Sequence, residues 1–358
     1  MSDLYDHVAD LSIEIDGFAF DRHEMDTSAG FTRVTTVVEL RGGGAVGRGE
    51  DVTYNTADHD RLRDAHASDD LDWDLAGEYT LDSFSAYLDG LDLFPEPPER
   101  EPSRHYRRWA VESAALDLAL RQANTTVAEA LDRTYDPVTF VVSTRLDTDG
   151  DPSADRVHEW LDVDPALEFK LDPTDAWTPE LMADLAGTNS VRILDLKSYY
   201  EGTDVDADAD PERYRQVVEA FPDAIIEDAK FTEETRPLLS RVENRLSWDY
   251  PVTDVASVEA LPIEPRLLNV KPSRFGTVAD LLDTIDYCLE RDVTLYGGGQ
   301  YELGVGREHL HAFASALYPD RPNDIAPSAY NAPEPNPDVP ASPLEPPADP
   351  VGLRWPRE

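Results

Sequence analysis

The chain of 358 residues has one cysteine, three methionines and only four lysines, and its acidic side chains outnumber the basic ones by 74 to 31. A single cysteine, Cys288, excludes an intramolecular disulfide, so a reducing cytoplasm is the simplest compartment. Without a second thiol or a His-x-x-His pair, the sequence offers no ligand set of the kind zinc prefers. Positive charge is scarce enough to leave a net −43. Such a surface repels phosphates, so nucleic acid and anionic membranes are poor partners. The acidic excess reads as a solvated shell adapted to molar salt, where the Debye length falls to roughly 3 Å. No stretch reaches the ~18 apolar residues of a membrane span, and no basic segment followed by an apolar block opens the chain, so export is not expected.

What is present suffices for a full core, at 41% hydrophobic content. From Leu11 to Asn55, "LSIEIDGFAF" and "FTRVTTVVEL" alternate and "RGGGAVGRGED" turns back on glycines into "DVTY", which predicts a three-stranded antiparallel sheet. Residues 57–101 are acidic and interrupted by proline, with one short helix expected at "TLDSFSAYLDGL". A long helix follows in "RRWAVESAALDLALRQA", where Ala110, Ala114, Leu118 and Ala123 fall at helical spacing and small residues permit close packing. From Pro137 onward, short apolar strands alternate with amphipathic helices: "VTFVVS", "ALEFK", "VRILD", "AIIED", "RLSWD", "LLNVK", "VTLYG" and a weak last strand near "DIAPS". This alternation predicts parallel strands joined by right-handed crossovers, closed into a β/α barrel. The proline-rich run after Asn331 reads as an extended segment over the surface or as disorder, with "VGLRWPRE" docking at the end.

The four lysines, Lys170, Lys197, Lys230 and Lys271, all follow strand-like runs of this barrel. A chain that has otherwise replaced lysine by arginine retains those whose compact, titratable ammonium a guanidinium cannot imitate. Between them, at the same kind of strand end, stand Asp195, Glu227 and Asp249, separated by 32 and 22 residues, about one β/α unit each. Barrels of this kind place their chemistry at the C-terminal mouth. Three carboxylates from successive strands supply hard oxygen ligands suited to Mg2+ or Mn2+. Lys170 and Lys271 come from strands on either side of the acids, so their amines approach a metal-bound carboxylate from opposite faces. Desolvation near a dication brings a lysine toward general-base duty, and the ion stabilises the enediolate left when the proton alpha to the carboxylate is removed.

These features resemble the enolase superfamily in its muconate-lactonizing-enzyme-like branch, over nearly the whole length. "AVGRGED" resembles the cap-domain G-x-G-E segment and "AVESAALDLALRQANTTVAEAL" the helix leading into the barrel. "IIEDAKF" resembles the I-E-D-P strand end, "NVKPSRFG" the K-P-x-x-x-G sixth strand, and "GGGQYELGVGREHLHAFASAL" the G-G-x-x-E-x-x-x-G turn after the seventh. The resemblance implies an N-terminal α+β capping domain (1–127), a (β/α)7β TIM-like barrel catalytic domain (128–331), and a C-terminal segment (332–358) that is extended or packed on the cap. It also implies Mg2+ held by Asp195, Glu227 and Asp249, with Lys170 and Lys271 as the acid/base pair, a small-molecule carboxylate substrate and a homo-oligomer.

Departures from the family pattern bear on the reaction. The second strand reads Glu168-Phe169-Lys170 where the family has K-x-K, and the third ends Asp195-Leu196-Lys197 where D-x-N is usual. Lys197 is therefore a candidate for contact with an anionic substrate. After Asp249 the usual acidic pair is missing, with Asp254 as a second choice of ligand. Glu302, from the seventh strand, is a candidate lining residue. The loop from Phe20 to Phe31 is expected to close over the mouth, with Thr32, Arg33 and Arg145 as candidate substrate contacts. Opposed lysines suit racemisation, epimerisation or cycloisomerisation; one lysine with the other as a cation suits syn elimination by a lyase. A non-catalytic descendant that keeps the fold and binds a ligand is the reading from another class. Exchange of a substrate's alpha-proton separates it from the enzymes.

Overall fold

A computed structural model describes residues 4–146, 151–203 and 205–355. The N-terminal part holds β1 (Ser12–Ile15), β2 (Gly17–Asp26), β3 (Thr32–Gly42), β4 (Ala45–Asp51) and β5 (Gly77–Thr80). Strands β2, β3 and β4 form the expected antiparallel sheet, while β1 separates at Asp16 and pairs with β5. The third strand of the sheet is Ala45–Asp51 and not the run "DVTY", so most of the glycine-rich stretch is strand and not turn. The turn itself is confined to Gly43 and Gly44, both at positive φ. Gly47 and Gly49 serve a different end. A Cβ on Gly49 would lie 2.8 Å from the amide nitrogen of Ala114, and one on Gly47 would lie 2.5 Å from Leu118 Cβ. Glycine there, with Ala110 and Ala114 opposite, lets the helix Ser103–Gln122 lie directly on the strand.

That helix is the spine of the N-terminal part: from Trp109 to Leu120 every residue is buried. The expected short helix is Leu81–Leu88, capped reciprocally by Thr80 and Ser83. A second helix, Thr56–Ala67, was not expected from the sequence, because only Asp58, His59 and Leu62 of its residues are buried and its apolar stripe is weak. Its start is marked by Asn55, whose side chain accepts from Ala57 N at 2.8 Å.

The C-terminal part is a parallel barrel of β6 (Val142–Thr144), β7 (Phe169–Leu171), β8 (Val191–Asp195), β9 (Ile225–Glu227), β10 (Leu246–Trp248), β11 (Leu267–Val270) and β12 (Thr294–Gly297), paired in chain order. Helices cover its outer face, so β7 and β10 are buried at every residue, as parallel strands in α/β folds are. Several helices begin on a side chain selected for it: Thr178 and Asp210 cap helices that have proline in their first turn, and Thr277 caps Val278–Leu289. The weak strand near "DIAPS" is reduced to two residues, Asn323 bridging Phe140 and Asp324 bridging Gly298. Those two bridges join β12 to the start of the sheet and close the ring, which gives a (β/α)7β barrel with an N-terminal cap.

Buried polar ties fasten cap to barrel. Glu50, at the end of β4, accepts from the amides of Leu303, Gly304 and Gly306 at 2.7–3.2 Å and so caps the helix Val305–Leu317. Within the cap itself, Arg107 pairs with Asp51 at 2.7 Å, both fully buried. The proline-rich tail packs as an extended strap: Leu344 bridges Val138, Gly352 bridges Thr126, and Asp117 on the long helix accepts from Leu353 N at 2.9 Å. Leu353 and Trp355 are buried, in keeping with a docked end; residues 356–358 lie outside the described residues. No helix among the described residues is long and apolar enough to cross a membrane.

Candidate active site

Five consecutive strands deliver five charged side chains to the mouth. Lys170 lies in β7, Asp195 ends β8, Glu227 ends β9, Asp249 follows β10 and Lys271 follows β11. Asp195 and Glu227 are register partners, and Glu227 pairs with Ser247, so Asp249 stands two residues further along the same face. Pairing between β7 and β8 skips Arg192, a local irregularity beside Lys170. Asp195, Glu227 and Asp249 are fully buried, and each offers an oxygen within 4.8 Å of the others. Lys170 enters from one side, with Nζ 3.3 Å from Asp195 and in contact with Glu227, and Lys271 from the other, 2.7 Å from Asp249.

The cluster is electrostatically tense. Burial pushes Glu227 up to about 7, with Asp195 and Asp249 adding to the push against the pull of Lys170. Burial would also raise Asp195, but Lys197 and Lys170 outweigh it and hold that carboxyl below the usual range. Asp249 is held low in the same way, by Arg274 and Lys271. Burial opposes the charge on Lys170, yet Glu227, Asp324 and Asp195 around it more than offset this and keep its pKa well above the ordinary value.

A layer beneath orients the acids. Tyr296 donates to Glu227 Oε2 and lies 2.9 Å from Ser247 Oγ, while Asn269 Nδ2 reaches the same carboxylate oxygen at 3.0 Å. The other oxygen, Oε1, is left to the cluster. Asp228 accepts from the backbone amides of Asp249 and Tyr250 at 2.9 and 3.0 Å, fixing the strand end that carries the third acid. Arg274 donates from Nε to Asp249 Oδ1 at 2.9 Å, and Tyr200 donates to its Oδ2 at the same distance.

The remaining candidates separate by position. Lys197 joins the cluster through Asp195 and lies 3.6 Å from Asp172. Glu302 is buried in the loop after β12, paired with Arg307 at 3.2 Å and accepting from Gln300 N, and is not part of the acid cluster. Arg33 is buried too, and donates to the carbonyls of Thr53, Val52, Gln300 and Tyr301 at 2.5–3.3 Å, which makes it a tie between cap and barrel. Thr32 is exposed and donates to Asp26. Arg145 contributes to the field at Asp172. Asp254, the second choice of ligand, caps its own helix by accepting from Ser257 N at 2.6 Å and is not part of the cluster. Lys230 stands at the surface with Glu201. The segment Phe20–Phe31 is mostly strand; only its tip, 27–31, is a turn, and this reaches the barrel through Ser28 N to Asn331 O at 2.8 Å and Phe31 against Tyr301.

Sequence reasoning missed Asp172, Tyr200, Asp228, Arg274 and Asp324. Arg274 had a signal, standing three residues beyond Lys271 in "KPSRFG". The acids had little, in a chain carrying 74 of them. Asp324 lies 3.2 Å from Lys170, on the two-residue eighth strand.

The donor set fits a hard divalent ion. An octahedral ion with bonds of about 2.1 Å sets its ligands about 3 to 4 Å apart, within the spread of these three carboxylates. The acids are paired with the ammonium groups of Lys170, Lys197 and Lys271 and with the Arg274 guanidinium.

Comparison with known proteins places the chain. Residues 6–130 match the family described as Domain of unknown function (DUF8230), N-terminal domain, and residues 134–332 its C-terminal domain. No curated protein matches the sequence. Among solved structures, a dipeptide epimerase from Methylococcus capsulatus complexed with Mg ion is similar at 19% identity and TM-score 0.65, covering 87% of this chain and 90% of that one. An enolase superfamily member from Listeria innocua is similar at 18% identity and TM-score 0.64, covering 88% and 86%. A muconate cycloisomerase from Pseudomonas fluorescens is similar at 16% identity and TM-score 0.63, covering 88% and 87%. At these identities the likeness is one of fold, and it extends over cap and barrel alike. The chain belongs to the DUF8230 family, whose N- and C-terminal domains here form the cap and barrel of the enolase superfamily fold.

Proposed function

We propose that the protein is an enzyme that removes the proton alpha to a substrate carboxylate and then racemises, epimerises or cycloisomerises the product of that step. The observation that carries this reading is the convergence of Asp195, Glu227 and Asp249 in a buried cluster entered by Lys170 from one flank and Lys271 from the other. Mg2+, or Mn2+ in its place, would be held by the three acids and would supply Lewis-acid stabilisation of the carboxylate as negative charge develops. Lys170 and Lys271 would take and return the proton from opposite faces. Tyr296 and Asn269 keep Glu227 turned toward the cluster, and Asp228 keeps the end of β10 in place. The hairpin tip 27–31 would keep water from the mouth. The fold and the relatives' named reactions support this reading.

One observation favours elimination as a second reading. Among the described residues Lys170 is braced by three carboxylates, Asp195, Glu227 and Asp324, whereas the ion pair of Lys271 is with Asp249 alone. That asymmetry suits a lyase in which Lys271 moves the proton and Lys170 stays a fixed cation.

The test is exchange of the alpha-proton with D2O, followed by proton NMR in near-molar salt with Mg2+, over acyl-amino acids, dipeptides and hydroxy acids. The proposal expects exchange with at least one class and a higher melting temperature in Mg2+. Absence of both would leave a non-catalytic descendant of the fold. Exchange of both antipodes supports two-base isomerisation; loss of water with exchange of one supports the lyase.

A further inference from the structure

Three of the four lysines reach the barrel mouth, and the chemistry above uses only two. The third, Lys197, is held by its backbone. It adopts φ 54°, the left-handed region, which side-chain-bearing residues enter only where the surroundings impose it. In that conformation its own amide donates to Asp195 Oδ1 at 3.1 Å, and its side chain folds back so that the ammonium contacts Asp195 Oδ2. Both oxygens of one proposed ligand are thus engaged by the residue two places along. The ammonium also lies 3.6 Å from Asp172 Oδ1 and 4.8 Å from the centre of the Tyr200 ring, and its side chain is only 16% exposed. A divalent ion arriving at Asp195 meets this charge at contact range, where little water screens it.

We propose that Lys197 is a tethered counter-ion that competes with the divalent ion for Asp195 and so sets the affinity of the metal centre, with Asp172 as the acid that receives the ammonium when Asp195 is ligated. The inference rests on the metal reading above and adds what limits it. Lys197 is a positioning residue in this role, acting on the ion through Asp195. The centre would be half-neutralised when empty and would fill only at comparatively high divalent concentration. Asp172 gives the displaced charge a partner within a short side-chain rotation, so the exchange leaves no ammonium unpaired.

The experiment is calorimetric titration of metal-free protein with MgCl2 in near-molar KCl, beside melting curves with and without Mg2+, on variants checked for folding by circular dichroism. Lys197→Met should bind Mg2+ at least about tenfold more tightly than the parent, with a larger Mg2+-induced rise in melting temperature, since the metal-free form loses its internal cation. Lys197→Arg keeps the charge and should stay near the parent. Asp172→Asn, which tests the idea even if Lys197→Met does not fold, should weaken binding by removing the acceptor. In the Lys197→Met background the same change should matter much less, a non-additivity that plain loss of negative charge would not produce. Unchanged or weaker affinity in Lys197→Met, or equal effects of Asp172→Asn in both backgrounds, overturns the proposal while leaving the metal centre standing. No Mg2+ binding by the parent or any variant overturns the metal reading and this inference together.

Discussion

Two buried charge clusters in this molecule follow opposite rules. At the seam between cap and barrel each charge has partners that fit it: Glu50 takes three backbone amides and Arg33 four backbone carbonyls, and inside the cap Asp51 is matched by the Arg107 guanidinium and Thr53. At the barrel mouth three carboxylates crowd within 4.8 Å and share the cations Lys170, Lys197, Lys271 and Arg274, so that Glu227 is driven toward neutrality. Seam charges minimise their own energy; mouth charges are kept in a tense arrangement by the strands beneath them. The contrast teaches that burial of charge alone does not mark a functional site. Crowding of like charges is the stronger mark, since carboxylates held this close must have positive charge brought among them.

The largest effect expected to break that contrast is chemical. Lys170→Met and Lys271→Met should each slow alpha-proton exchange by about a thousandfold or more under the NMR assay, the scale of losing a general acid or base. Asp51 and Arg107 serve as the control. Arg107→Met leaves a buried carboxylate unpaired and should cost about 3–5 kcal/mol in urea denaturation, with Mg2+ affinity unaltered. An Arg107 variant that changed metal binding, or a Lys170 or Lys271 variant that spared exchange, would erase the distinction.

A smaller effect concerns acid. Burial pushes His309 down to about 4 and His311 to about 3, so both are neutral in the fold, beside the seam charges Asp117 and Glu50 in the case of His309. A histidine whose folded pKa is depressed stabilises the fold above its unfolded value of about 6.5, and that contribution is lost as pH falls below it. Relative to His311→Asn, the parent should lose about 2 kcal/mol of its advantage between pH 7 and pH 5. Buried acids such as Asp228, which burial and its acidic neighbours raise, pull the other way. The reading is therefore the difference between parent and variant at each pH, by urea denaturation.

The strand ends of the barrel were legible because short apolar runs stop on a lysine or an acid, and a parallel strand has one end where charge is useful. The ring of acids and lysines followed from that spacing. The eighth strand was legible only as a weak run near "DIAPS", since two residues, Asn323 and Asp324, make up its pairing. Strand β4 was misread as turn because Gly47 and Gly49 have the composition of a turn; what they answer to is a helix more than 60 positions later in the chain. The supporting shell was hidden for the same reason. Nothing local distinguishes Asp172 or Asp228 from the other acids, and their roles exist only once the sheet has curled.

The smallest expected effect sharpens the comparison from the other side. Lys230 shares with the three mouth lysines everything that sequence can show: rarity, a strand-like run before it and a place within the same segment. Its ammonium nevertheless points outward, 40% exposed and bonded to Glu201 at 2.5 Å. A surface pair of this kind has its charge attenuated by water and salt, most of all at high ionic strength. Lys230→Met should therefore leave Mg2+ affinity, proton exchange and melting temperature unchanged within experimental error. A measurable loss of exchange would mean that the outward lysine bears on the mouth through the loop carrying Glu201, and that scarcity of lysine alone, without convergence on the acids, had been the better guide.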